Sequence, residues 1–498
     1  MKFEPTPLGK GAKPLVHAEE GGTWTPMFRH ECSFGPDLFD DVLMNLIKNP
    51  NINSSWLYRA DVLFDSDDAA EETRQFGTQP CLVDFLDFKR YRTLVTRLVP
   101  RNPDRDRPLE QTQTFSRSSL ADETIQTLIV YVPHETSEAD LPFYYPKVQG
   151  LAYLHEWDQS VGQGTISIHY RLFRETDAGN VKLTRTALNL LSILYKHGQG
   201  RSEGYTKRVF HDVLVPQARV QDRVTRLKQK YARGLIASWA EATDPSKHVF
   251  EDLGIAAFLI ELWADMYRDR PFPGFVDIGC GNGLLVFLLA REGYSGFGFD
   301  ARARRSWENY TAPEFLNNDT GTDSNKIELT VLERRVLLPS VIYRPAAVTK
   351  NAPIPEEDIH DGLFRSGTFI ISNHADELTP WTPILAALSN CPFVMIPCCS
   401  HNLRGDKYRA PPPRDRSKPV SAYASLVDWV SCIAEDCGWV VETEMLRIPS
   451  TRNTALIGRT RTSNSAEIDA ESILQKYGGA EGYFENVVKL LKAAPSKH

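Results

Sequence analysis

No Cys-x-x-Cys pair, no His-Glu-x-x-His and no long apolar run occurs in this 498-residue sequence. Its eight cysteines, at 32, 81, 280, 391, 398, 399, 432 and 437, therefore give neither a zinc motif nor a disulfide framework. They read as reduced, mostly buried thiols, and no metal is expected. The longest apolar runs fall far short of the roughly 20 residues that span a bilayer, so no membrane is expected either. A strong charge imbalance is also missing. Lys and Arg number 57 against 64 Asp and Glu, a net charge of -7, so a polyanion partner must be held by local basic patches. The opening residues Met1 to Lys10 carry neither an apolar signal core nor an arginine-rich amphipathic pattern, and cytosol or nucleus is the expectation. There are no internal repeats. Length allows two or three domains, and 42% apolar with 24% charged residues is an ordinary globular composition that affords a sizeable core.

What is present is a glycine loop between two acids. Asp277-Ile-Gly-Cys-Gly-Asn-Gly283 follows the apolar pair Phe275-Val276 and leads into the leucine-rich run Leu284 to Ala290, the pattern of a strand, a turn and a helix. A second strand-like run, Gly296 to Asp300, ends in a carboxylate 23 positions after Asp277. In a doubly wound α/β sheet both acids would stand at carboxyl ends of neighbouring parallel strands, where such folds bind ligands. Gly279, Gly281 and Gly283 follow G-x-G-x-G rather than the G-x-G-x-x-G of dinucleotide sites. S-adenosylmethionine fits this better than NAD, because its ammonium and sulfonium suit an acid beside the loop, whereas a pyrophosphate would be repelled. Asp300 is placed to accept ribose hydroxyls. The alternative is a glycine turn kept only for close helix-to-strand packing.

Around this motif the chain divides into an N-terminal α+β domain (1–200), a Rossmann-like domain (201–464) and a C-terminal helical tail (465–498). In the first, Phe39, Val42, Leu43, Leu46 and Ile47 recur at helical spacing. Thr124 to Val132 and Thr165 to Phe173 read as strands, and Thr186 to Tyr195 as a helix. Asp65 to Glu72 and Arg101 to Arg107 read as loops or disordered segments. Between Arg201 and Arg233 nine basic residues face three acids, and Arg219, Arg223, Arg226 and Lys230 share one face of a helix over Gln217 to Arg233. That stripe is read either as a phosphate-binding face or as an ordinary solvated one. Lys247 to Tyr267 is apolar on nearly all sides and is expected as a helix buried under the sheet. Arg302, Arg304 and Arg305 follow Asp300 directly. Two more strands, Thr368 to Ser372 and Phe393 to Ile396, empty into chemically dense loops, and Arg404 opens a cationic, proline-rich segment to Pro419.

The stretches Phe275 to Val286, Glu292-Gly-Tyr-Ser-Gly-Phe-Gly-Phe-Asp-Ala-Arg302 running to Trp307, Lys247-His-Val-Phe-Glu-Asp-Leu-Gly254 and Ile396-Pro-Cys-Cys399 resemble the fungal and animal tRNA (uracil-2'-O-)-methyltransferases that modify uridine-44 of serine tRNA. The resemblance covers roughly residues 205 to 460 and, more loosely, the N-terminal part. It implies a class I, seven-stranded methyltransferase fold, S-adenosylmethionine, a tRNA substrate and a cytoplasmic location. The zinc-finger pattern found near the C-terminus of some animal relatives does not occur here. Methylating a ribose hydroxyl requires its proton to leave. Asp376, Glu377, His374, His401 and Lys407 are the eligible groups, with Asp376 preferred as base and Lys407 as stabiliser of the alkoxide. Asp376 or Glu377 could instead cap a helix near Thr379. Asn373 and His374 are assigned to positioning the cofactor or the substrate. RNA is expected to meet Arg219, Arg223, Arg226, Lys230, Arg302, Arg304, Arg305 and Arg404. Competing readings are a thiolate attack by Cys398 on a base, another RNA or a protein as substrate, and a methyltransferase-like module without turnover. Adenine N6 chemistry is disfavoured, because the loop reads Asn373-His-Ala-Asp376 rather than Asn-Pro-Pro-aromatic.

Overall fold

A computed structural model describes residues 2–8, 11–20, 22–67, 79–103, 105–119, 124–205, 210–310, 331–342, 354–415, 421–462 and 468–492. The chain forms two compact units, Met1–Lys207 and Arg208–His498.

The first unit is an antiparallel sheet with helices. Strands β1 (Thr6–Pro7), β2 (Trp24–Cys32), β3 (Leu57–Asp65), β4 (Lys89–Pro100), β5 (Leu109–Ser119), β6 (Thr124–Pro133), β7 (Gly150–Asp158) and β8 (Gln163–Arg171) take the order β1-β2-β8-β7-β6-β5-β4-β3. Helix α1 (Pro36–Lys48) opens with proline at its start and buries Phe39, Val42, Leu43, Leu46 and Ile47, the five residues whose spacing predicts a helix. Helix α2 (Val181–Ser202) begins at Asn180, whose side chain accepts hydrogen bonds from the Lys182 and Leu183 amides and satisfies two otherwise orphaned donors. Both helices pack on one face of the sheet, in a core with Phe115, Ile129, Tyr153 and Ile168. The predicted strands are β6 and β8, and the predicted helix lies inside α2. Of the loop read at Asp65 to Glu72, Asp65 ends β3 and residues from 68 onward lie outside the described residues.

The second unit carries the seven-stranded sheet. Its strands are β9 (Phe275–Ile278), β10 (Gly296–Asp300), β11 (Val331–Arg334), β14 (Phe369–Asn373), β15 (Phe393–Ile396), β16 (Trp439–Met445) and β17 (Thr454–Arg461). They run in the order β11-β10-β9-β14-β15-β17-β16, with β17 antiparallel to both its neighbours and the others parallel. A short pair, β12 (Val336–Leu337) and β13 (Ile359–His360), lies outside this sheet. The chain winds outward from β9 in one direction and then in the other, so the sheet's topological switch falls between β9 and β14, where ligands of doubly wound sheets bind.

Parallel strands must be covered on both faces, and alternate residues here serve opposite cores. Phe275, Phe369, Ile371, Val394 and Ile396 face one core with Trp263 and Leu288, while Val276, Ile278, Ile370, Phe393 and Met395 face another with Trp381 and Trp429. Helix α5 (Pro245–Met266), capped by the Asp244 side chain on the Ser246 amide, buries most of its length as expected. Helix α3 (Gln217–Leu227) passes through a π turn, Lys228–Ala232, into α4 (Arg233–Ala237). The terminal helices Ala470–Lys476 and Tyr483–Lys492 are integral to the second unit. Ile473, Leu474, Tyr483 and Val487 join the core, and Tyr483 lies edge-on to Trp381 at 5.4 Å.

Candidate active site

The glycine loop sits where the sequence places it. Gly279, Gly281 and Gly283 have φ of +70°, +52° and +75°, a region costly for residues with a Cβ. At Gly283 a Cβ would also stand 2.7 Å from Leu332 Cδ1 and 3.2 Å from Trp307 Nε1, so glycine is needed twice over. Gly283 precedes helix α6 (Leu284–Arg291). The loop is latched from outside: Trp307 Nε1 donates to Gly281 O at 2.9 Å and Ser306 Oγ to Asn282 O at 2.7 Å. Asp300 ties its other side, its two carboxylate oxygens accepting the Gly281 and Arg302 amides at 3.0 Å each.

Strand register gathers the polar residues at one edge. Asp277 is level with Gly298 on β10 and Ile371 on β14, so Asp300 and Asn373 each lie two residues beyond it, and Asn373 pairs with Ile396 on β15. Asp277 is 1% exposed, and its Oδ1 has no hydrogen-bond partner. Burial, then the neighbouring charges of Asp252 and Asp300, push its carboxyl far above the ordinary range. Asp252, on α5, is also buried and is raised to about 8, by burial first and then by Glu251. Its Oδ1 accepts from Asn373 Nδ2 at 3.3 Å. Among the described residues none of Asp252, Asp277 and Asp300 is in an ion pair. Carboxylates grouped in a buried place without a cation are unfavourable unless a cation arrives. The ammonium and sulfonium of S-adenosylmethionine fit that need, and the loop at Gly281 leaves open space above its Cα.

Glu251 and Asp252 lie in a stretch that carries the family resemblance, but the sequence alone assigns them no role in the site. The signal was two adjacent acids in a helix expected to be buried, where acids seldom lie without a task. Glu251 Oε1 is 3.0 Å from His374 Nε2. Burial alone would raise the Glu251 carboxyl, but this hydrogen bond and the neighbouring cationic groups bring it below its ordinary value. His374 and Asp376 have φ of +53° and +42°, a conformation non-glycine residues avoid and one that concentrates at functional sites. Asn373 and His374 are thus both engaged with α5.

Past the strand ends lie the loops that follow β14 and β15, the mouth of the candidate site. Cys398 Sγ donates to Asp376 Oδ1 at 3.0 Å. Burial, then the Asp376 charge, push the Cys398 thiol far up, so it is a neutral thiol and a poor nucleophile, which counts against thiolate attack on a base. Burial and the charges of Asp376 and Asp300 also raise Glu377. Lys407 is exposed and its backbone bridges to His401. Arg452, unmarked in the sequence, lies close enough to Cys399 to influence its thiol.

The predicted RNA-binding cations divide. Arg219 bonds to Glu261 at 2.9 Å and Asp265 at 2.7 Å, and Arg223 bonds to Glu261 at 2.8 Å, so these two guanidinium groups clamp α3 to α5. Lys230 lies in the π turn, 3.3 Å from Glu292. Arg226 is exposed. A shared helix face is real, but for Arg219 and Arg223 it is an ion-paired one, turned to the acids of α5. Arg302 hydrogen-bonds to Leu490 O, and Arg404 to Gly478 O at 2.8 Å, both in the C-terminal segment. Asn486 holds the same loop through Arg404 O at 2.9 Å and Asp406 Oδ1 at 2.8 Å. Arg304 is half-buried and Arg305 exposed. Of the 404–419 segment, residues 416–419 lie outside the described residues.

Residues 4–208 match the family model described as "TRM44-like, N-terminal bet v1-like domain", and residues 214–317 match "Predicted AdoMet-dependent methyltransferase". A tRNA (uracil-O(2)-)-methyltransferase of Neurospora crassa is 52% identical, over 99% of this chain and 98% of its own length. A protein of the same name from Schizosaccharomyces pombe is 38% identical over 95% of this chain and 94% of its own length. One from Yarrowia lipolytica is 36% identical over 96% and 97%.

Proposed function

We propose that this chain, which belongs to the tRNA (uracil-O(2)-)-methyltransferase family, methylates uridine-44 of serine tRNA in the cytoplasm. It is an S-adenosylmethionine-dependent enzyme that methylates a ribose 2'-hydroxyl in tRNA. Among the described residues no helix is long and apolar enough to cross a membrane. The observation that carries the catalytic reading is the convergence of Asp252, Asp277 and Asp300, without a cationic partner, at the switch point of the sheet.

When bound, S-adenosylmethionine supplies a methyl group on a sulfonium. Asp277, with Asp252 beneath it, offers negative charge to the cofactor's cationic end. The Asp300 oxygens each accept one amide and keep a further lone pair for ribose hydroxyls. Asn373 is fixed by Asp252, and its buried Oδ1, which has no partner, is free to receive a donor. Glu251 fixes the ring of His374. Proton removal from the nucleotide's hydroxyl is assigned to the Asp376–Glu377 pair, with Lys407 beside the developing alkoxide; such groups contribute about 10²- to 10⁴-fold. The raised Glu377 carboxyl is a stronger base than an ordinary glutamate. Arg305, Lys407 and Arg404 are the exposed cations offered to RNA phosphates around the mouth, joined by Arg302 and Arg304 behind Asp300 and by Arg452 beside Cys399.

The test is methyl transfer from labelled cofactor to unmodified serine tRNA, followed by nucleoside mapping. 2'-O-methyluridine at position 44 is the expected product. Label at another nucleotide, or none in tRNA while the cofactor still binds, would overturn the target assignment.

A further inference from the structure

We propose that Asp376, Cys398 and Cys399 form a binding site for a thiolate-bound divalent cation of the zinc class. One donor atom from each of the three lies within 4.8 Å of the others. In tetrahedral zinc sites, bond lengths place neighbouring donors about 3.5–3.8 Å apart, so only a small closure separates this cluster from a coordinating one. The donors come from two loops that leave adjacent parallel strands, β14 and β15, whose ends are in register at Asn373 and Ile396. That is why a search for paired ligand motifs along the sequence passes over the site.

Three features favour a metal over a chance hydrogen bond. First, the 3.0 Å contact joins a thiol to a carboxylate, and a dication would take the place of the thiol proton between them. Binding would release the two thiol protons to solvent and offset the negative charge of two thiolates and one carboxylate. Second, Asp376 is held in the left-handed region, φ +42°, beside His374 at +53°, so the backbone accepts strain to keep this turn against the Pro397–Cys399 strand end. Third, His401 follows Cys399 by two positions, and its Nδ1 is buried without a partner among the described residues. Its ring lies outside the three-donor group, so it would have to move to close a fourth position. Two sulfur ligands select zinc-like ions over magnesium or calcium, which prefer oxygen. Cys398 and Asp376 are half-buried while Cys399 is exposed, so the ion would sit at the outer edge of the candidate site and tie together the loops that follow β14 and β15. This assignment makes Asp376 a ligand and leaves proton removal to Glu377.

The test uses the full chain purified without chelators or a metal-binding tag, with zinc measured by mass spectrometry and the site probed by cobalt(II) titration. About one equivalent of zinc per chain and a thiolate-to-cobalt charge-transfer band are expected. Both should be lost in Cys398→Ser and in Cys399→Ser, and kept in Cys432→Ser. Native chain with no zinc and no cobalt band would overturn the site without recourse to any variant. So would a band that survives both serine substitutions. Asp376→Asn that keeps zinc and an unchanged cobalt spectrum would remove the carboxylate from the ligand set and return Asp376 to the role of base. Metal content is read without tRNA, so failure here and failure of the methylation reading are separate results.

Discussion

The buried titratable groups of the two units differ in kind. At the centre of the N-terminal sheet they are imidazoles and phenols: His155, His169, Tyr153 and Tyr170 are almost wholly buried. Burial holds His155 down at about 4 and His169 at about 3, so both are neutral at physiological pH. In the second unit the corresponding places hold Asp252 and Asp277, which burial raises. A neutral imidazole carries no charge to be balanced: His155 Nε2 meets Phe34 O at 2.9 Å, while its Nδ1, the Nδ1 of His169 and the Tyr170 hydroxyl are buried with no partner among the described residues. Clustered acids are a greater burden once ionised, and await a positively charged partner. The buried groups named in the first unit are neutral; those in the second call for a cation.

The sharpest way to break that contrast is Asp277→Asn. Removing the charge should weaken cofactor binding about 100-fold, the value of roughly 3 kcal/mol for a charged hydrogen bond, in calorimetry. Unchanged affinity would mean that the buried carboxylate does not meet the cofactor. Next in size, Gly283→Ala forces a Cβ onto Leu332 at φ +75° and should cost about 1–3 kcal/mol, read as a lowered denaturation midpoint.

The pH responses of the two units should have opposite sign. His155 and His169 have folded pKa values below the unfolded value of about 6.5, so the stability of the first unit is present above that pH and falls as pH drops toward 4. Asp252 has a folded value near 8, above its unfolded value of about 3.9, so the cofactor-free second unit loses stability as pH rises toward 8. His360, lowered to about 4, opposes this trend only below pH 6.5, so the clean window lies above it. Hydrogen exchange resolved by segment should show both slopes in the full chain, and Asp252→Asn should flatten the second. Parallel slopes in the two units would contradict the contrast.

The smallest expected effects separate scaffold cations from substrate cations. Arg219→Ala should cost about 1 kcal/mol of stability, discounted for the guanidinium's partial exposure, and leave tRNA affinity unchanged. Arg305→Glu should leave stability within about 0.5 kcal/mol and lower tRNA affinity, with a salt dependence shallower by about one unit. A reversal between the two would return the α3 face to the RNA.

The strand, glycine turn and helix around Asp277 were legible because their chemistry is local: a tight turn needs glycine, and a buried strand needs apolar residues on both faces. The same holds for α1, whose five core positions follow from helical period alone. The buried length of α5 was also evident, but its acids were passed over, because period places a residue on a face without saying what lies opposite. Arg219 and Arg223 show this most clearly. Their spacing put them on one side of α3, and only the packing of α5 against that side turned a phosphate-binding candidate into a clamp. The C-terminal helices, plain in sequence, hold the Arg404 loop through Asn486 and fill the core with Tyr483.

By itself, then, the sequence determined strands β6, β8, β9, β10, β14 and β15, the glycine turn and the acids at the β9 and β10 ends, since each depends on neighbours a few positions away. Tertiary structure alone decided that Asp252 would join Asp277, that Glu251 would meet His374, and that Asp376 would meet Cys398. Those pairs are separated by 25, 123 and 22 positions, and the winding of parallel strands brings them together only after the sheet has formed.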